Sequence, residues 1–152
     1  MTQVLQPTAV SVPISSALAT SPIVLNGSPR SLAIQANFSP GASASGSSID
    51  VYVQTTIDDG STWADVVNFH FTTVARIAAV NITPQSPVGT PLSSATAPDA
   101  QTPVTLTDGT MASNTARDGL LGPQIRAKYL STGTYRGASI RVDVASVDLG
   151  SY

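Results

Sequence analysis

The stretch Ile49–Phe71 constrains the fold more than any other part of the chain. Ile49, Val51 and Val53 alternate with Asp50, Tyr52 and Gln54, and further on Val67, Phe69 and Phe71 alternate with Asn68, His70 and Thr72. A two-residue repeat puts one set on a buried face and the other on the opposite face, so each run reads as a β-strand. Between the runs, Asp58-Asp59-Gly60 supplies turn chemistry. An aspartate side chain there bonds nearby backbone N–H groups, and glycine tolerates positive φ. The expectation is a hairpin, with a sheet built outward from it.

Composition points the same way. At 152 residues the chain is long enough to bury the core of one domain. Charged residues make up 11% of it, against about 25% in ordinary globular proteins. Glutamate is absent and Lys128 is the sole lysine, while Ala, Ser, Thr, Val, Gly and Pro dominate. That mixture suits strands and tight turns better than solvent-facing helices. The formal charge of −2, with scattered cations, gives no concentrated basic surface for nucleic acid. Lack of cysteine excludes disulfides and thiolate metal sites. No run approaches the roughly 18 apolar residues of a membrane span, and MTQVLQPTAVSVPISS lacks the basic and apolar regions of a signal peptide. Synthesis in a cytoplasm, with neither a membrane nor a nucleic acid as partner, is the expectation.

Two parts read as a domain and its extension. Residues 1–29 carry Pro7, Pro13, Pro22 and Pro29, which limits them to an edge strand over Ala9–Ile14 or an extended N-terminal arm. Residues 30–152 read as the folded domain. Leu32, Ile34, Ala36 and Phe38 alternate as a strand, Ser39–Ser47 is a polar loop, and Ala78, Val80 and Ile82 face inward from Ala75–Ile82. Residues 83–103, punctuated by Pro84, Pro87, Pro91, Pro98 and Pro103, form a loop of unusual length, either extended along a neighbouring subunit or free of one.

Val104–Thr107 reads as a short strand and Thr110–Ala116 as one helical turn. Two final strands place Ile125, Ala127 and Tyr129, then Ile140, Val142 and Val144, on the buried side. If these two pair, Arg126, Lys128 and Arg141 share one exposed face, either a solvated surface or a docking surface for an acidic partner.

Little here points to catalysis. His70 is the only histidine, mid-strand, and no G-x-S-x-G elbow is present. The aspartates Asp58, Asp59, Asp99, Asp108 and Asp118 sit in turns, where capping of backbone explains them, and no EF-hand spacing appears. DGTMASNTARDGLLG has the glycines of a phosphate loop but not its spacing. No catalytic residue, metal or cofactor is therefore expected. Sugar binding would use exposed rings among Tyr52, Trp63, Tyr129, Tyr135 and Tyr152, with Tyr135 in STGTYRG the best placed for a glycan contact.

Two resemblances add to this. Thr56-Ile57-Asp58-Asp59-Gly60-Ser61-Thr62-Trp63 resembles the Asp box, S/T-x-D-x-G-x-S/T-W, at every fixed position. Asp boxes form hairpin turns in sialidases and other β-proteins, away from the catalytic site. The resemblance implies that Thr56, Asp58, Gly60, Thr62 and Trp63 lock the turn, with Trp63 capping one end of the core. About eight strand candidates and long polar loops make the expected fold an all-β antiparallel β-sandwich, in the form of a jelly roll.

The second resemblance spans about residues 30–147. The VYVQTTIDDGSTWADVVNFHFTT hairpin, the TDGTMASNTARDGLLGPQIRAKYLSTGTYRGASIRVDV ending and the cysteine-free composition are similar to small virion proteins of tailed bacteriophages. That resemblance implies a non-enzymatic structural protein that binds the major capsid protein, or other virion proteins, and stiffens the capsid surface. Repeated copies would multiply weak contacts, so a homo-oligomer, with a trimer favoured, is expected. Its docking parts would be the arm with Pro7 and Pro13, the loop with Pro87 and Pro91, and the cations Arg126, Lys128 and Arg141. A head-tail neck or tail accessory protein and a host-glycan adhesin are the alternatives.

Overall fold

The computed structural model describes residues 2–5, 18–25, 31–43, 45–83, 90–91, 101–102, 105–117 and 119–147. Every regular element in them is a β-strand: β1 (Thr2–Leu5), β2 (Leu18–Ala19), β3 (Ile23–Val24), β4 (Ser31–Ser39), β5 (Ala42–Ser43), β6 (Ser48–Thr56), β7 (Ala64–Phe71), β8 (Arg76–Ile82), β9 (Thr90–Pro91), β10 (Gln101–Thr102), β11 (Thr115–Ala116), β12 (Gln124–Thr132), β13 (Tyr135–Arg136) and β14 (Ser139–Val147). One sheet has the order β1-β14-β4-β8. A second, of six strands, has the order β11-β7-β6-β12-β2, with β3 also paired to β12, and β9 with β10 and β5 with β13 form separate two-stranded ladders. Pairings within both sheets are antiparallel.

The two-residue repeat explains why these sheets close on each other. Leu32, Ile34, Ala36 and Phe38 of β4 and Ile140, Val142 and Val144 of β14 share one core with Ile49, Val51 and Val53 of β6 and Ile125, Ala127 and Tyr129 of β12. Phe38 stacks on Phe71 of the other sheet, ring centroids 5.1 Å apart. Each large side chain so buried stabilises the fold by about 1.5–3 kcal/mol, so this interface holds the two sheets together as an antiparallel β-sandwich.

The expected central hairpin forms, with Ile49 opposite Phe71, Val51 opposite Phe69 and Val53 opposite Val67. The register then shifts between Val53 and Gln54, so that Gln54 lies opposite Asp65. Val66 is the extra residue of this bulge, and both Val66 and Val67 are buried. The shift moves Asp65 off the core side and onto the outer face beside Gln54.

Four expectations need correction. The segment Thr110–Ala116 is not helical: it contains β11, which pairs Thr115 with Asn68 and Ala116 with Val67. Its pairing to β7 takes the place of a helical turn. Thr105–Thr107 is not a ladder strand, although the Thr107 carbonyl accepts the Asp65 N–H at 2.7 Å.

Strands β12 and β14 do not pair with each other but lie in different sheets. The segment between them is an arch. It turns at Gly133, whose φ of 76° favours glycine and where a Cβ would lie 2.4 Å from Ser47 Oγ. It then buries Tyr135 before β14 begins. Arg126 and Lys128 therefore stand on a different sheet from Arg141.

The described parts of residues 1–29 do not stand away as an arm. β1 is an edge of the four-stranded sheet, β2 and β3 line the edge of β12, and Leu25 is buried in the core. Ala9–Ile14, Pro7, Pro13 and Pro87 lie outside the described residues, while Pro91 lies in β9, which pairs with β10.

Candidate functional site

At the tip of the central hairpin the turn holds itself. Asp58 Oδ1 accepts from the Thr62 amide at 2.8 Å and from Thr56 Oγ1 at 2.7 Å, and Oδ2 accepts from Thr62 Oγ1 at 2.7 Å. Thr56 Oγ1 in turn accepts from the Gly60 amide at 2.9 Å. Trp63 Nε1 donates to the Gly60 carbonyl at 3.1 Å. Gly60 has φ 93°, where a β-carbon is disfavoured. The bonds from Thr62 and then Thr56 favour the charged carboxylate, so Asp58 is lowered to about 2. Trp63 is half-buried and lies outside the core cluster. It covers its own turn, and the Arg126 guanidinium sits 4.2 Å from its ring centroid.

From that cation–π contact a line of polar groups crosses the outer face of β12, β6 and β7. Arg126 Nε donates to Gln54 Oε1 at 2.9 Å, and Gln54 Nε2 donates to Asp65 Oδ1 and to Asp108 Oδ1, both at 2.7 Å. Asp108 Oδ1 also takes Lys128 Nζ at 2.6 Å, and that bond, with the one from Gln54, lowers the carboxyl below its ordinary range against the opposing effect of burial. Burial lowers Arg126, with Asp108 and then Asp65 opposing the shift.

Asp65 is the centre of this line. Fully buried, it accepts from the amides of Gly109 (2.8 Å to each oxygen), Thr110 (3.1 Å) and Met111 (3.2 Å). A carboxylate that gathers successive amides fixes the backbone carrying them, so Asp65 pins residues 108–111 over the sheet. The outer face of the hairpin is consequently roofed: Tyr52, Gln54 and Asn68, which alternate with the core residues, are themselves buried.

Further along the same face, Asp50 Oδ1 lies 3.0 Å from His70 Nδ1, 3.1 Å from Asn68 Nδ2 and 3.4 Å from Ser113 Oγ. These residue types suggest a nucleophilic relay, but their order does not. A relay needs the imidazole between acid and hydroxyl, whereas here the acid sits between the other two. Asn68 also donates to the Met111 carbonyl at 2.9 Å, and the His70 amide donates to Asn114 Oδ1 at 3.1 Å. The group fastens the segment after Asp108 to β7. Among the described residues no three acidic or imidazole side chains gather to hold a metal.

The outer face of the four-stranded sheet is different. Ala33, Gln35, Ala79, Asn81, Arg141 and Asp143 border an open concavity of about 430 Å³. Its ion pair, Arg141 Nη2 to Asp143 Oδ1 at 2.8 Å, joins neighbours along one strand. At the corner leading into β8, Val74 is 69% and Ile77 61% exposed. This shelf was not legible as a site, because alanines carry no chemical signal.

The ring proposed for a glycan contact is not on the surface. Tyr135 is fully buried, edge-on to Phe38 at 5.6 Å, and its hydroxyl donates to the Thr72 carbonyl at 2.9 Å. Burial pushes its hydroxyl up to about 12. Tyr52 and Tyr129 are buried too, and burial followed by the charges of Asp50 and Asp65 raises Tyr52. Tyr152 lies outside the described residues. The three cations expected to share a face are divided, Arg126 and Lys128 being tied to Gln54 and Asp108, and Arg141 to Asp143.

Fold and site together define the chain as an antiparallel β-sandwich that, among the described residues, has one roofed face and one bare face. No family model matches it, and neither a curated protein nor a solved structure matches it.

Proposed function

We propose that this protein is a non-enzymatic structural component of a bacteriophage particle, a decoration protein that binds the lattice of the major capsid protein and stiffens it. The observation that carries the reading is the bare outer face: small, mostly uncharged side chains ending at exposed Val74 and Ile77. Apolar surface left beside a weakly charged sheet suits a broad protein contact better than a small polar ligand. The sequence resemblance to small virion proteins supplies the identity of the partner. Repetition over a lattice makes individually weak contacts sufficient.

Co-sedimentation of the purified protein with undecorated capsids tests this. Wild type is expected to pellet with capsids, and the Val74→Asp variant, folded by circular dichroism and altered outside β8, to stay in the supernatant. Binding retained by that variant removes the bare face as the docking surface. A neck or tail location is separated by copy number in purified particles: a decoration protein approaches one copy per lattice position, a neck protein a single ring. Truncating residues 1–25 is a poor test, because it removes the paired strands β1, β2 and β3 and the buried Leu25.

A further inference from the structure

The sandwich treats its sheet edges unequally. The six-stranded sheet ends in β11 on one side and in β2 and β3 on the other, each of two residues, and the four-stranded sheet ends in the four-residue β1. Its opposite edge is β8, seven residues in unbroken register with β4, and no strand lies on its other side among the described residues. Natural edges are blunted by proline, lysine, bulges or shortness, because a free row of N–H and C=O groups invites another strand. The sequence of β8, RIAAVNI, has none of these devices, and its single charge is Arg76 at one end.

We infer that β8 pairs antiparallel with β8 of a second copy of this chain, joining two four-stranded sheets into one across a two-fold axis. The charge pattern selects this occupant. Ala79 is the middle residue, so full-length pairing sets Ala79 opposite itself, Ala78 opposite Val80, Ile77 opposite Asn81 and Arg76 opposite Ile82. The two Arg76 side chains then lie at opposite ends of the strand, roughly 20 Å apart, beyond the Debye length of about 8 Å in physiological salt. No like charges face each other, and no complementary acid is required of the partner.

Packing agrees with the pairing. Beside β8, between the two sheets, an open cleft of about 300 Å³ is lined by Val67, Phe69, Ala78 and Val80, with Arg76 and Asn114 also bordering it. Inward-facing Ala78 and Val80 are only half-buried in one copy. Pairing places their counterparts in the second copy on the same side of the joined sheet, over the cleft. Such an interface is isologous and closes at two copies, which favours a dimer over the trimer expected from the sequence. The inference stands apart from the capsid reading, since it concerns the free protein.

Ala79 is exposed and faces itself, so it supplies the test. Light scattering after size exclusion is expected to give a dimer of 15.5-kDa chains for the wild type. Ala79→Lys and Ala79→Asp are each expected to weaken association by about tenfold or more, because like charges meet on the axis. An equimolar mixture of the two is expected to recover the dimer, Lys facing Asp, a rescue that a folding defect would not produce. A monomeric wild type, a wild-type mass other than the dimer's, single variants as dimeric as wild type, or a mixture that stays monomeric each overturns the proposal.

Discussion

The two outer faces of the sandwich spend their polar residues in opposite ways. On the six-stranded sheet, Asp65, Gln54, Asp108, Arg126 and Lys128 bond one another and the backbone of residues 109–111. On the four-stranded sheet the outer face has alanines and one ion pair between neighbours of the same strand. A chain with 11% charged residues has few ion pairs to place. It uses them where a loop must be held against a sheet, since loop backbone buried there needs every hydrogen bond satisfied. Among the described residues the other face has no loop to hold, and it is left bare.

The sharpest way to break the comparison is Asp65→Ala. It leaves three backbone amides and one of the two Gln54 side-chain N–H groups without their acceptor, and the cost is expected to be about 3–5 kcal/mol. That is a large share of the roughly 5–15 kcal/mol by which a domain is stable. The midpoint of urea unfolding reads it directly. A loss under about 1 kcal/mol would mean that the roof is held by apolar packing, and that the two faces differ in appearance only.

The hairpin, the inward residues of β4, β12 and β14 and the class of fold were all legible, because strict two-residue alternation and turn residues carry them. Asp65 was not, for a physical reason. Counting by twos from Val67 puts Asp65 on the core side, and only the bulge after Val53 turns it outward. A bulge leaves no mark in a run such as ADVVNF beyond two adjacent apolar residues, Val66 and Val67. Thr110–Ala116 was misread for a linked reason: local propensity cannot register a strand partner more than forty positions away in sequence, and Thr115 pairs with Asn68 and Ala116 with Val67. Tyr135 was misread because an arch between two sheets and a hairpin within one share the same glycines and threonines.

A smaller effect sharpens the same contrast at the end of the roofed face. Asp58, in the turn below Trp63 and Arg126, is lowered to about 2 from 3.8 by its bonds to Thr62 and Thr56. A folded-state value below the unfolded one stabilises the protein above the unfolded value, and the contribution is lost as pH falls through about 2. The melting temperature of wild type is therefore expected to exceed that of Asp58→Asn at pH 5, and the gap to narrow steadily towards pH 2. Taking the difference between the two proteins isolates this turn from other acids such as Asp108. A constant gap across that range would mean that the carboxylate's charge has no part in closing the turn.

The smallest effect belongs to the bare face. Arg141 is 59% exposed, and its pairing with Asp143 joins side chains two positions apart on one strand. Solvent screens such a pair, and holding two long side chains in place costs entropy, so a double-mutant cycle with Arg141→Ala and Asp143→Ala is expected to give a coupling of about 0–0.5 kcal/mol. Added salt should abolish even that. The same cycle on Lys128 and Asp108 is expected to give a larger coupling, because Gln54 holds the acceptor in place and the lysine is only 16% exposed. Equal couplings would erase the distinction between a face organised for the chain itself and one left open. Unequal ones would show that Arg141 and Asp143 can be replaced at little cost to folding, so any loss of partner binding on replacing them would report docking rather than stability.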